Sequence, residues 1–291
     1  MAKRKFGDRK EGRYLRSLDP YNGLTPYIMR TRNDASTYYK DQIEVTKAWN
    51  YLRQKRAEGF ERIGFLHIFV AAYVRMLSQC PALNRFVSGQ RIYARNNIEF
   101  VMTVKKDMTA DASETSIKVI FEPTDTIKEV YEKIEAEISK VKNDPSENGT
   151  DSTARALMKA PRLVLRFIIS FLNFLDYFGW LPQSLLDVSP FHGSVIVTSM
   201  ASLGIQPIYH HLYNFGNLPV FVSIGKRHRE FELDKNGEVK QRNYIDFAVV
   251  SDERICDGFN YARAFKYFRS YLLDPSVLDC PPEEVFTDIR N

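Results

Sequence analysis

Cysteine is scarce in this chain of 291 residues: Cys80, Cys256 and Cys280 are three, an odd and widely spaced set. Such a set argues against a disulfide framework and against a zinc site, and reads as reduced cytoplasmic thiols. Five histidines form no metal-ligand pattern, so no metal is expected. A P-loop, a dinucleotide glycine fingerprint and internal repeats are also missing. The first sixteen residues carry Lys3, Arg4, Lys5, Arg9, Lys10, Arg13 and Arg16 but lack the apolar core of a secretory signal. A cytoplasmic location is therefore expected. No RNA- or DNA-binding motif follows the basic arm, which excludes nucleic acid as an expected partner.

What is present is an ordinary globular composition, 44% hydrophobic and 26% charged, with 20 Phe, 16 Tyr and a net charge of +5. The chain divides into a basic arm and irregular segment, 1–36, and a single domain, 37–291. Pro20, Gly23 and Pro26 make 17–36 read as irregular. A short strand is expected at 43–45 and a helix over 46–58, closed by Gly59. "IGFLHIFVAAYVRMLSQCPAL" has helical period, with Pro81 stopping it. "RIYARNNIEFVMTVKKD" and "SIKVIFEP" look like paired strands. "TDTIKEVYEKIEAEISKVKND" is an amphipathic helix with Thr124 as its expected cap, and "DPSENGTDST" reads as a linker.

Residues 154–188 look like an apolar helical insertion. "PRLVLRFIISFLNFLDYFGWLP" is apolar almost all round, yet 163–175 falls short of the ~20 residues that span a bilayer. Two readings stand. The preferred one is a buried core or interface helix. The other is a peripheral, interfacial membrane helix, helped by Arg155, Lys159, Arg162 and Arg166 near one end.

The chemistry concentrates in "VVSDERICDGFNYARAF", residues 249–265, a strand running through a charged turn into a helix. Together with "FLHIFVAAYVRMLSQCPALNRF", the strand pair "RIYARNNIEFVMTVKKD" and "VIVTSMASLGI", it resembles the catalytic domain of the dihydrolipoyl acyltransferases of 2-oxoacid dehydrogenase complexes. More distantly the chain resembles chloramphenicol acetyltransferase. The matching stretches and their connections cover most of 40–275, as a free-standing version with no lipoyl domain and no covalently attached lipoyl group.

The resemblance implies an α/β fold, a central mixed β-sheet flanked by helices. It also implies a homotrimer whose sites lie between subunits, and a coenzyme A thioester as substrate. In that family "DERICDG" would be Asp-His-Arg-x-x-Asp-Gly, whose histidine is the general base. A hydroxyl residue on another strand holds the oxyanion, a place matched here by Thr198. Asp257 and Gly258 match the end of the signature, with the glycine expected to permit a tight helix start.

At the base position stands Glu253. Histidine has an ordinary pKa near ~6.5 and glutamate near ~4.3, so Glu253 needs burial to serve as base. Arg254 would oppose that shift if it turned toward Glu253. Alternatively, His210 or His211 of "YHHLYNFG" supplies the imidazole, with at most one of them facing the site. The plain reading, loop histidines packed with tyrosines, is preferred. His67 reads as a hydrogen-bonded core histidine, and His192 and His228 show no readable partner spacing. Asp257 has a structural use as the cap of a core-facing helix carrying Tyr261, Phe265, Phe268 and Leu272, and Cys256 reads as a small buried side chain. Two functions follow: acyl transfer from a thioester to an unknown thiol, hydroxyl or amine, or a catalytically inactive scaffold or acyl-thioester-binding protein.

Overall fold

A computed structural model describes residues 4–105, 114–143 and 149–289. The chain opens with β1 (Gly12–Tyr14), α1 (Pro20–Ile28), β2 (Ser36–Glu44), α2 (Thr46–Ala57) and α3 (Phe65–Gln79). It continues through β3 (Arg85–Ser88), β4 (Arg91–Arg95), β5 (Ile98–Lys105), β6 (Glu114–Phe121), α4 (Ile127–Asn143), α5 (Gly149–Met158), α6 (Arg162–Phe178) and α7 (Gln183–Val188). The last elements are β7 (Val195–Ser199), β8 (Val220–Leu233), β9 (Val239–Asp252) and α8 (Gly258–Leu273).

Six strands form a mixed sheet in the order β2-β9-β8-β7-β5-β6, and β1-β4-β3 make a small second sheet. β7 runs parallel to both β5 and β8, and the remaining pairs are antiparallel. On one face of the large sheet, alternate strand residues such as Val197, Val222 and Val249 pack under α3 and α8. There Phe69, Phe247 and Phe268 meet edge to face at 4.9 to 6.1 Å. Each fully buried phenylalanine contributes about 1.5–3 kcal/mol. α3 is central enough that His67 to Ser78 are all buried, so its burial is not confined to one face. The sheet's other face has a smaller cluster, including Ile196, Leu212, Phe221 and Val250.

Several expectations change. Residues 17–36 are not wholly irregular, because Pro20 occupies the first turn of α1 and Asp19 caps it, accepting from the Tyr21 amide at 2.9 Å. Proline in a first turn loses no helical hydrogen bond. Pro26 cannot donate to the Asn22 carbonyl, but the Thr25 hydroxyl does so at 2.8 Å. The strand expected at 43–45 starts at Ser36, since it pairs with β9 along its whole length. β5 pairs with β6 as expected, whereas β4 joins the small sheet.

α4 is capped by Thr126 rather than Thr124: the Lys128 amide donates to the Thr126 hydroxyl, and Glu129 accepts from the Thr126 amide at 2.9 Å. Of the expected linker, 144–148 lie outside the described residues and the remainder begins α5. The buried-core reading of 163–175 is overturned, because α6 has no buried residue. No helix among the described residues is long and apolar enough to cross a membrane.

Candidate functional site

β9 delivers Asp252 to the end of the large sheet, where its side chain is fully buried. A buried carboxylate requires partners, and Arg254 supplies three bonds: its amide at 3.1 Å, Nε at 2.8 Å and Nη2 at 2.7 Å. Arg32 completes the cluster, with Nε 3.9 Å from Asp252. Its remaining donors reach the carbonyls of Val87, Tyr213 and Asn214. Burial brings the Arg32 guanidinium down to about 10, while Asp252 pulls the other way.

Arg254 therefore turns inward, donating also to the Met29 carbonyl at 2.8 Å. Its guanidinium is committed to Asp252. The Glu253 amide donates to the Ala35 carbonyl at 2.8 Å, which fixes the turn, and the Glu253 side chain is exposed.

Glu253 lines a pocket of about 720 Å³. Its walls come from α1 (Tyr21, Thr25), β2 (Thr37, Tyr39), the turn (Cys256, Asp257) and α8 (Tyr261, Phe265, Lys266). Tyr39 packs on Phe265 at 4.3 Å, and burial with the nearby Asp41 pushes its phenol up to about 12. Arg269 at the rim is taken by Asp41, to which it donates at 2.8 Å. Burial pushes the Cys256 thiol far up, so it is a poor nucleophile.

Asp257 does cap α8, accepting from the Asn260 amide at 2.8 Å. A tight start that needs glycine is not found at Gly258: a Cβ there would meet nothing within 4 Å, and its φ lies outside the left-handed region.

Thr198 and the histidines lie elsewhere. By the alternation of strand faces, Thr198 shares a face with Ile196, and Ser223 with Phe221, on the side away from α3 and α8. Thr198 pairs with Ser223, which pairs with Ala248 of β9. Glu253 stands five residues beyond Ala248 and two strands across. Within one chain the two α-carbons are thus on the order of 15–20 Å apart, too far to act on one bond.

The segment after β7 covers this second face, where the Ile208 amide donates to Ser223 at 3.3 Å. His210 stacks on Phe221 at 4.3 Å, and burial lowers its pKa. Its Nε2 is buried without a hydrogen-bond partner among the described residues. His211 is exposed and meets Tyr213 edge-on at 5.5 Å. Neither histidine lines the Glu253 pocket.

Two arrangements were not readable beforehand. The Arg32–Asp252–Arg254 cluster joins residues with no spacing signal. His192, buried, lies 2.8 Å from the Ser189 hydroxyl and 3.2 Å from Asp176, a link from the body to the C-terminal end of α6. His67 is the core histidine expected, accepting from the Gly64 amide at 3.0 Å.

No family model and no curated protein matches the chain, but solved structures do. One is a probable dihydrolipoamide acetyltransferase from Listeria monocytogenes: TM-score 0.57, 15% identity, covering 88% of this chain and 94% of that one. Another is a truncated catalytic core of the 2-oxoacid dehydrogenase multienzyme complex from Thermoplasma acidophilum: 0.55, 12%, 90% and 99%. A chloramphenicol acetyltransferase gives 0.53, 10%, 90% and 99%. The chain has the fold these acyltransferases share, a central mixed sheet flanked by helices, as its sequence led one to expect.

Proposed function

We propose that this chain, with the fold of the acyltransferases it resembles, moves an acyl group from a thioester, acyl-coenzyme A, to a thiol, hydroxyl or amine acceptor. The observation that carries the reading is Glu253. It is an exposed carboxylate on the pocket wall, at the position where the resembled family has its base; the other, Asp257, is engaged as the cap of α8, and the arginine neighbour of Glu253 is committed to Asp252. In the reaction, Glu253 takes the acceptor's proton as the acceptor attacks the thioester carbonyl. The Thr198 hydroxyl donates to the tetrahedral oxyanion. Collapse expels the thiolate of coenzyme A, which recovers the proton.

The separation of Thr198 from Glu253 in one chain requires that they come from different copies. A homotrimer with sites between subunits satisfies this. It also supplies what a single chain lacks, a second surface to desolvate Glu253 and raise its basicity. Partners under this reading are the thioester and two further copies of the chain.

One observation favours the second reading, a catalytically inactive acyl-thioester-binding protein: among the described residues of the single chain, nothing buries the Glu253 side chain. Incubation with a panel of acyl-coenzyme A thioesters separates the two. Transfer predicts thiol release together with ligand-induced stabilisation. Stabilisation without release would establish binding alone, and neither would remove both readings.

A further inference from the structure

α6 presents three faces. Leu165, Ile168, Leu172 and Leu175 are half-buried. Arg162, Arg166 and Asn173 lie on a polar, exposed flank. Between them runs a stripe of Leu163, Phe167, Phe171, Phe174 and Phe178, all exposed, with Phe167 70% and Leu163 78% accessible. The spacing i, i+4, i+8 puts Leu163, Phe167 and Phe171 on one line. Phe167 and Phe171 stack at 6.4 Å, and Phe174 and Phe178 pack at 4.9 Å. A soluble monomer rarely leaves such a continuous aromatic stripe in water.

The helix is mounted on the body by its C-terminal end. Arg9 donates to the Tyr177 carbonyl at 2.6 Å, Lys10 to the Leu181 carbonyl at 2.5 Å, and the Tyr177 hydroxyl to Gln90 at 2.8 Å. Asp176 is held by His192. Gly179 ends the helix at φ 71°, and a Cβ there would strike the Arg9 side chain. These bonds engage backbone and polar groups and leave the phenylalanine stripe free.

We infer that α6 docks the protein on an anionic lipid bilayer, seating its phenylalanine stripe at the headgroup–acyl boundary. The charge pattern selects the occupant. Residues 152–175 contain Arg155, Lys159, Arg162 and Arg166 and no acid, and these basic side chains are exposed. A basic flank beside an aromatic stripe matches a surface that is negative outside and apolar beneath. Trp180, 61% exposed and stacked on Phe178 at 5.1 Å, adds an indole suited to the headgroup level. A second copy fits this face less well. Parallel pairing of α6 with α6 would set Arg162 and Arg166 against their equivalents, and antiparallel pairing would offer them Asp176, already engaged by His192; contact with a different surface of a neighbouring copy in a cyclic trimer is the alternative that the particle mass below decides.

The full chain, incubated with phosphatidylcholine vesicles with or without phosphatidylglycerol, tests the inference by co-sedimentation. Binding is expected with phosphatidylglycerol at low salt, falling roughly tenfold or more as salt rises. The double change Phe167→Glu with Phe171→Glu should abolish it while leaving thermal unfolding and solution mass unchanged, since both side chains are exposed. The chain has two tryptophans, so a Trp49→Phe variant reports Trp180 alone. Its emission should shift to the blue on phosphatidylglycerol vesicles.

Absence of binding at low salt would overturn the inference, as would equal binding by the double variant or equal binding to phosphatidylcholine alone. A lower particle mass for the double variant without lipid would assign the stripe to a second copy instead. No thioester enters these assays, so their failure would leave the pocket reading standing.

Discussion

Replacing Asp252 by Asn removes the one carboxylate that holds two buried guanidinium groups. Arg254 donates to it through Nε and Nη2, and Arg32 stands 3.9 Å away. The Asp252 side chain is inaccessible, and the side chains of Arg254 and Arg32 are 3% and 6% accessible. Water cannot replace the lost charge. Removing one partner of such a buried pair costs about 3–5 kcal/mol, because it strands the other. For a chain of 291 residues that corresponds to a fall in melting temperature of about 5–8 °C. Urea unfolding followed by tryptophan fluorescence, with wild type and Asp252→Asn side by side, measures the loss directly. The double change Asp252→Leu with Arg254→Leu should cost less than the sum of its parts, since it removes charges in a pair. A loss below about 1 kcal/mol for Asp252→Asn would refute the idea that this cluster fixes the turn bearing Glu253.

Other outcomes follow from the same geometry. Burial lowers the His67 pKa below its ordinary 6.5, opposed by Glu135 at 3.5 Å. The unfolded chain therefore binds a proton that the folded chain refuses, and stability falls as pH drops below about 6.5. Unfolding midpoints between about pH 7 and 5 should show a shallower fall in His67→Gln. Asp257→Ala removes the cap of α8 and should cost about 0.5–2 kcal/mol by thermal melting, with Asp257→Asn recovering most of it. A solution mass measurement should give three chains per particle or a multiple of three, and a monomer at working concentration would contradict the shared site.

The fold was legible where residue pattern and burial agree. The apolar run of α3, closed by Pro81, and the alternating strands of the large sheet are read directly from their periods. α1 was hidden because Pro20 and Pro26 look like breakers, and only the Asp19 cap and the Thr25 hydroxyl show how a helix tolerates both. The exposure of α6 was illegible for a different reason. Its composition alone does not distinguish a helix wrapped in core from one lying on the surface, and three-dimensional packing decides.

At the candidate site, the turn with Glu253 and Asp257 was singled out in the sequence, and the Asp257 cap and the burial of Cys256 were expected and are found. The inward rotation of Arg254 was not, because Asp252 competes for it at a distance no spacing rule encodes. Thr198 was read on a strand and His210 on the segment that follows it, which is where they lie. The distance of Thr198 from Glu253 emerges only from the registers β7 to β8 and β8 to β9.

The central claim, acyl transfer with Glu253 as base, is tested most directly by single-turnover rates of thiol release from an accepted acyl-coenzyme A. Wild type, Glu253→Gln and Glu253→His are compared across pH. Glu253→Gln preserves size and removes the proton acceptor, so its rate should fall by roughly 10² to 10⁴, while Glu253→His should retain or raise activity. A Glu253→Gln rate equal to wild type, with His210→Gln or His211→Gln damaging instead, would contradict the assignment of the base.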